Sequence, residues 1–289
     1  MDEQAVALLR CPVCGGGMAL DGHVLACRTG HAFDLAASGY VNLMTGRRAR
    51  AGDTRDMLLA RRRFLARGHY EPLAAAVSAL VSEGVAGAAP ADGSPHCAVE
   101  IGSGTGHHLA RAAEAVGAAE VRLSWFGVDA SKEAARMAAR DLAGRGFGFV
   151  VADVWDRVPL ADGSALAILS VLSPRNPAEF ARLLDPAGVV VVAVPAPDHL
   201  AELRGTFDLL AIHPGKEEAL LEGLGGFEVA RRQPLRFPLH LGPGDVEDLV
   251  RMGPSARHID AEVVARQAGS APKVVTASFV TLALTRHAG

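Results

Sequence analysis

The sequence predicts an α/β fold: a parallel sheet covered by helices on both faces, with a small metal-binding module ahead of it. Three observations predict it. From Cys97 onward, short apolar runs alternate with helical stretches, as in βα units whose strands are buried on both sides. A glycine run, Gly102-Ser103-Gly104-Thr105-Gly106, separates the first such strand from the first such helix. Near the start, Cys11, Cys14, Cys27 and His31 stand at C-x2-C-x12-C-x3-H spacing.

The bulk numbers fit one large core plus a small module: 289 residues, 49% hydrophobic and 21% charged. The longest wholly apolar stretch, 189–196, is too short to span a bilayer. The first ten residues, MDEQAVALLR, place acids where a signal peptide needs basic residues. The expectation is a cytoplasmic protein with no membrane partner. A net charge of -3 does not advertise nucleic acid. Of the four cysteines, Cys97 stands apart from the other three, which is unlike a secreted disulfide scaffold.

Residues 1–45 read as the metal module. Cys11 and Cys14 can reach one ion from a tight turn, Cys27 and His31 have the same economy, and Gly15 to Gly17 let the chain leave the first knuckle. Three thiolates and one imidazole make a closed tetrahedral Zn2+ site with no open catalytic position. Such a site stabilises a fold too small to bury a sufficient core. His23 competes with His31 for the fourth position, with poorer spacing from Cys27, and the bland alternative is a coincidence of unpaired cysteines. Cys97 reads as a core residue of the first strand.

Residues 46–95 read as a helical linker or lid, with helices over 54–66 and 73–83 and a loop, GVAGAAPADGSP, after them. Arg47, Arg48, Arg50, Arg55, Arg61, Arg62, Arg63 and Arg67 crowd this segment, opposed there only by Asp53 and Asp56. A solvated helix face and an RNA-facing surface both account for such a patch.

Residues 96–289 then alternate. CAVEIG, RLSWFGVD, FGFVVAD, ALAILSVL and GVVVVAVP read as strands, HLARAAEAV, KEAARMAARDL and PAEFARLL as helices. The tail VVTASFVTLALT is β-rich and is expected to close the sheet edge.

The glycine run lets the backbone approach a ligand at a helix start. It reads G-x-G-x-G, with Glu100 two residues before the first glycine. A dinucleotide fingerprint would be G-x-G-x-x-G. This variant resembles motif I of the class I (Rossmann-like) methyltransferases. Asp129, at the next strand end, is placed to accept hydrogen bonds from both ribose hydroxyls. Asp153 ends the strand after, where methyltransferases commonly set an acid against the adenine amine. The alternative is a set of solvated loop acids on an NAD-type fold. Ligands bind at the carboxyl ends of such strands, so Leu172-Ser173-Pro174-Arg175-Asn176 and Pro195-Ala196-Pro197-Asp198-His199 lie on the substrate side. His199 reads equally well as a helix N-terminal residue.

Together the C-x2-C-x12-C-x3-H module, HAFDLAASGYVNL at 31–43, Gly52-Asp53 with ARRRFLARGHYEPL at 60–73, the glycine loop, LSP at 172–174 and PDHLAEL at 197–203 carry a resemblance along most of the chain. The chain resembles the large-subunit (23S) ribosomal RNA guanine-N1 methyltransferases, a family that includes the tylosin-resistance enzyme of antibiotic producers. The resemblance implies S-adenosyl-L-methionine as cofactor and an RNA-recognising N-terminal module. It implies cofactor contacts from Tyr70, the 102–107 loop (Gly102, Gly104, Thr105, Gly106 and His107) and His199. It also implies a homodimer with an RNA-binding cleft, and, with the Ala-, Gly- and Arg-rich composition, resistance to tylosin-type macrolides. Two departures stand out: Arg175 where relatives often have Cys, and His107-His108 in place of bulkier aromatics.

Guanine N1 is protonated at neutral pH and hidden in any duplex, so the target must be unpaired or flipped out. Asp198 and His199 are the candidate bases by position alone. Arg47, Arg48, Arg50, Arg61, Arg62 and Arg63 are the expected phosphate contacts. Two rivals remain: a small-molecule methyltransferase of antibiotic biosynthesis, needing neither zinc nor the arginines, and a non-catalytic binding protein, against which the intact glycine loop and acids argue.

Overall fold

The computed structural model describes the chain apart from residues 46–51, 87, 89–93, 118–121, 213–214 and 288–289. In chain order its elements are α1 (Glu3–Leu8), β1 (Met18–Asp21), β2 (Val24–Cys27), β3 (Ala32–Asp34), β4 (Tyr40–Asn42), α2 (Arg55–Ala66) and α3 (Glu71–Ala86). There follow β5 (Cys97–Ile101), α4 (His107–Val116), β6 (Ser124–Asp129), α5 (Lys132–Asp141), β7 (Phe147–Val151), β8 (Ala165–Val171), α6 (Pro177–Leu183) and β9 (Leu184–Pro195). The last are α7 (Lys216–Gly223), β10 (Phe227–His240), α8 (Pro243–Met252), α9 (Ala261–Ala268) and β11 (Val274–Arg286).

β1 to β3 form a small antiparallel sheet in the N-terminal module. The large sheet has the order β10-β11-β9-β8-β5-β6-β7-β4. Its strands from β9 to β4 pair in parallel, and only β11 runs against its neighbours. The central strands β5 and β8 are buried at every position, which is why they read as unbroken apolar runs. The chain steps from β5 outward to β6 and β7, then returns to β8 on the other flank. That reversal opens a crevice at the carboxyl end of β5, the usual ligand position in such sheets.

One face of the sheet packs against α3, α4, α8 and α9 through residues such as Val77, Val81, Ala112, Leu249 and Val264. α3 lies directly on β9, where a Cβ at Gly84 would overlap Val189, so only glycine permits that approach. α3 is therefore a core helix rather than the linker expected over 46–95. The opposite face is covered by α6, α7 and the N-terminal module, whose Val6, Leu9, Leu25 and Val41 join Val99, Phe126 and Val190 in one apolar cluster.

The expected division at residue 45 thus cuts through a continuous core. Arg10 donates its backbone N–H to Pro159, Ala161 donates to Leu8, and Tyr40 to Asn42 pair with Phe149 to Val151 as a strand of the large sheet. The tail strand β11 also departs from expectation. It lies inside the sheet, and β10 forms that edge. β10 escapes the alternation pattern because its outward positions carry Arg231, Arg232 and Arg236 and it contains Pro234 and Pro238. Charge and proline are what an edge strand tolerates. Among the described residues, no helix is long and apolar enough to cross a membrane.

Candidate active site and metal centre

The four ligand atoms of Cys11, Cys14, Cys27 and His31 lie within 4.8 Å of one another. Cys14 and Cys27 sulfurs are 3.7 Å apart, and His31 Nδ1 is 3.5 Å from Cys11 and 3.4 Å from Cys27. A tetrahedral zinc with sulfurs at about 2.3 Å requires S···S separations of about 3.8 Å, so the donor set fits that ion. His23 is exposed on the turn between β1 and β2 and stands outside the cluster. Sequence reading missed Thr29. Its hydroxyl donates to Cys14 Sγ at 3.1 Å and lies 3.0 Å from Cys27 Sγ, and it heads the causes that bring the Cys27 thiol down to about 5. A hydroxyl two residues before a ligand histidine is the signal that would have found it.

At the carboxyl end of β5, Gly102, Gly104 and Gly106 have φ of +69°, +52° and +77°. A Cβ at Gly102 would also stand 2.6 Å from Ser173 Cβ. Gly102 and Ser103 donate their backbone N–H groups to Val128, which ties the loop to β6. Gly106 caps α4 without a side chain. The missing cap comes from within the core, where Glu100 Oε2 accepts the Leu109 N–H at 3.0 Å. Burial pushes the Glu100 carboxyl up to about 8.

Asp129 accepts the Gly104 N–H at 2.9 Å on one oxygen and the Ser131 N–H at 2.8 Å on the other. Burial raises its carboxyl while these two bonds lower it, and each oxygen keeps a second lone pair for a ligand hydroxyl. Asp153 accepts the Trp155 N–H at 3.0 Å and presents its carboxylate at the end of β7. Trp155 itself is 46% exposed beside it. Around the loop, the Ser103 hydroxyl, His107 Nε2 and His108 Nδ1 are buried with no hydrogen-bond partner among the described residues. Burial holds both imidazoles below their usual pKa, His108 at about 3. Buried orphan polar atoms are costly, and a polar nucleoside ligand with an amino-acid tail would partner them. The residues present therefore fit S-adenosylmethionine. Thr105 is buried in the same loop.

Tyr70 opens α3 and His199 follows β9, and the fold brings them together. Tyr70 Oη is 3.4 Å from His199 Nε2, and His199 Nδ1 accepts the Ser278 N–H at 3.2 Å. Phe279 completes the cluster, its ring 5.2 Å from Tyr70 and 4.5 Å from His199. With Nδ1 accepting, neutral His199 carries its proton on Nε2 and donates it to Tyr70. Neither ring nitrogen is open to take a proton from a substrate in this arrangement. His199 is also not in a helix: it precedes Leu200, whose φ is +55°.

On the substrate side, Leu172 has φ +53° and is exposed after β8. Leu172 and Leu200 are the described non-glycine residues at positive φ; the first directly follows β8, the second lies in the turn after β9. Asn176 caps α6 through its oxygen and donates Nδ2 to Val154 at 2.9 Å, joining the β7 and β8 ends. Arg175 is half-buried and donates to the Ser173 carbonyl at 2.9 Å. Burial lowers its guanidinium pKa. Asp198 is half-exposed and accepts from Arg236 Nε at 3.0 Å. The Ser278 hydroxyl and Arg236 hold its carboxyl below the usual range.

The arginine cluster is not a bare cationic face. Arg63 pairs with the buried Asp248, Arg67 with Asp245 and Asp248, Arg62 with Asp141, Arg55 with Glu133, and Arg61 with Asp53. Apart from Asp53, which precedes α2, these partners sit on α8 and α5, so α2 is clipped onto the body of the molecule. Arg62 and Arg63 still expose 46% of their side chains. Arg47, Arg48 and Arg50 lie outside the described residues.

Comparison with known proteins agrees with this geometry. A zinc-ribbon family described as "RlmA, N-terminal" matches residues 9–50, and a methyltransferase domain family matches 98–188. The chain is 42% identical over 286 residues to a 23S rRNA (guanine(748)-N(1))-methyltransferase of Streptomyces fradiae, covering 99% of this chain and 97% of that one. It is 41% identical over 291 residues to a putative 23S rRNA (guanine-N(1)-)-methyltransferase of Micromonospora griseorubida, covering 96% and 97%. Among solved structures, loganic acid methyltransferase with SAH superposes with a TM-score of 0.52 at 14% identity, covering 75% of this chain and 94% of that one, a likeness of fold alone.

Proposed function

Because the chain belongs to the family of 23S rRNA (guanine-N1)-methyltransferases, we propose that it methylates N1 of an unpaired guanine in a 23S rRNA hairpin, using S-adenosylmethionine. The observation that supports this most is the joint placement of the glycine loop, Asp129 and Asp153 at three neighbouring strand ends, beside buried polar atoms lacking partners.

When bound, the cofactor supplies a methyl carbon already activated by its sulfonium. The chain then has to orient and to exclude water. Gly102, Gly104, Thr105 and Gly106 admit the ligand against the backbone, with Glu100 fixing the helix start behind them. Asp129 would receive the ribose hydroxyls and Asp153 the adenine amine, and His107, the first residue of α4, would add a contact from the end of the loop. Tyr70 and His199 form a rigid wall, each held by the other. Asp198, ionised at neutral pH, is the group we assign to receive the guanine N1 proton. Its pairing with Arg236 weakens it as a base but keeps it oriented.

Cys11, Cys14, Cys27 and His31 hold the structural Zn2+ in this reading, and the module around them meets the RNA. Arg62 and Arg63 are the cluster members we assign to phosphate, by exchange from their aspartates, and Arg47, Arg48 and Arg50 would add to them. Two protomers are taken to share the RNA cleft, which sedimentation would read directly.

The test is methylation of 23S rRNA with labelled cofactor, followed by primer extension. N1-methylguanine blocks reverse transcriptase on its Watson–Crick edge. A stop in the hairpin lining the macrolide-binding tunnel supports both the activity and tylosin-type resistance. Cofactor binding without any stop would refute the RNA substrate.

A further inference from the structure

Arg61 and Asp53 come from the arginine-rich segment for which the sequence leaves a solvated face and an RNA-facing surface both open, yet the fold turns them toward the glycine loop. A Cβ on Gly104 would lie 3.4 Å from Arg61 Nη1, so the guanidinium sits at contact distance from the loop. Arg61 pairs with Asp53 and donates Nη2 to the Met252 carbonyl at 2.8 Å. These bonds use two of its five N–H donors. The strap that carries Asp53 is itself pinned. Arg257 donates to the Gly52 carbonyl at 2.9 Å, and a Cβ on Gly52 would stand 3.1 Å from Ser131 Cβ, two residues beyond Asp129. The charges reach the cofactor loop. Behind burial and its backbone bonds, Asp129 is raised by Asp53 and lowered by Arg61, and Glu100, raised mainly by burial, is also lowered by Arg61.

We propose that the Arg61–Asp53 pair clamps the amino-acid end of the cofactor, Arg61 receiving the α-carboxylate and Asp53 the α-ammonium. The proposal rests on the reading of the glycine loop as the S-adenosylmethionine site. An α-amino acid presents one anion and one cation side by side, and an ion pair laid against it in the opposite sense satisfies both. Arginine's planar fork suits a carboxylate better than a lysine would. Both side chains are partly buried, at 29% and 26% exposure, so water screens the contact less than it would on the surface. Neighbouring Arg62 and Arg63 point to Asp141 and Asp248 instead.

Calorimetric titration with S-adenosylhomocysteine and with 5′-methylthioadenosine, which lacks the amino-acid tail, separates this role from a structural one. Arg61→Met is expected to weaken S-adenosylhomocysteine about 10- to 100-fold and 5′-methylthioadenosine by less than about twofold. Arg61→Lys, which keeps the charge without the fork, should recover part of the loss. Asp53→Asn should weaken the first ligand and spare the second. Equal weakening of both ligands in the arginine variants, or unchanged S-adenosylhomocysteine binding in either Arg61→Met or Asp53→Asn, would overturn the clamp. Failure of the unaltered protein to bind either ligand would instead overturn the cofactor site itself.

Discussion

Tyr70 Oη and His199 Nε2 lie 3.4 Å apart although 129 positions separate them in the chain. Because Ser278 occupies the other ring nitrogen, the pair is a fixed wall of the pocket rather than a proton relay. Tyr70→Phe should therefore cost about 1 kcal/mol of stability, the usual net value of one hydrogen bond, and His199→Ala more, since it strands both the Tyr70 hydroxyl and the Ser278 N–H. Both should weaken S-adenosylhomocysteine. Denaturant unfolding and calorimetry on the same variants measure the two effects. A bell-shaped rate profile that lost its lower limb only in His199→Ala would contradict the wall and restore a proton-transfer role.

Gly102 is where the loop tolerates least. Gly102→Ala adds a Cβ 2.6 Å from Ser173 Cβ at a φ of +69°. The backbone penalty alone is about 1–2 kcal/mol, and the clash adds to it. Cofactor binding should fall below detection while circular dichroism stays close to that of the unaltered chain. Normal affinity would mean that the loop does not hold the ligand.

Glu100 sets a pH dependence with a definite sign. Its folded carboxyl titrates at about 8, against 4.5 ordinarily. Between those values the folded state holds a proton that the unfolded chain has released, so this group lowers stability as pH rises through the window. Glu100→Gln keeps an oxygen for the Leu109 N–H and removes the titration. Its melting temperature relative to the unaltered chain should rise between pH 5 and pH 8. A constant difference across that range would contradict the buried carboxyl.

Asp198→Asn tests the proposed proton acceptor. A positioned base contributes about 100- to 10,000-fold, and the depressed pKa of Asp198 places the expected loss at the lower end. Turnover on rRNA should drop while S-adenosylhomocysteine affinity holds. Undiminished turnover removes Asp198 from the chemistry.

Metal removal should not stop at the module. Zinc contributes folding energy directly in small sites, and here the module's Val6, Leu25 and Val41 share a core with Val99 and Phe126. A chelator, or Cys27→Ser with Cys14→Ser, is expected to lower the melting point of the whole protein in one transition. Two separate transitions would show the module folding independently.

How far the sequence was legible follows from distance along the chain. The metal ligands fall within one short segment, and β5, β8 and β9 announce themselves because burial on both faces leaves no polar alternation. The glycine loop and the strand-end acids follow from that strand order. β10 was illegible because its outward residues are charged. The pairing of the arginine cluster was illegible for another reason: Asp141, Asp245 and Asp248 arrive from α5 and α8 only on folding. His199 was ambiguous because a loop histidine becomes a wall only beside a tyrosine that the sequence places far away.

The short strand β4 has a consequence of its own. Tyr40 to Asn42 cover the backbone of β7, and a shortened chain beginning after them would leave that row of amides and carbonyls open. Such a rim is a template for other chains. Losing the first forty-odd residues should therefore yield a protein that aggregates rather than a smaller enzyme with weakened RNA contact.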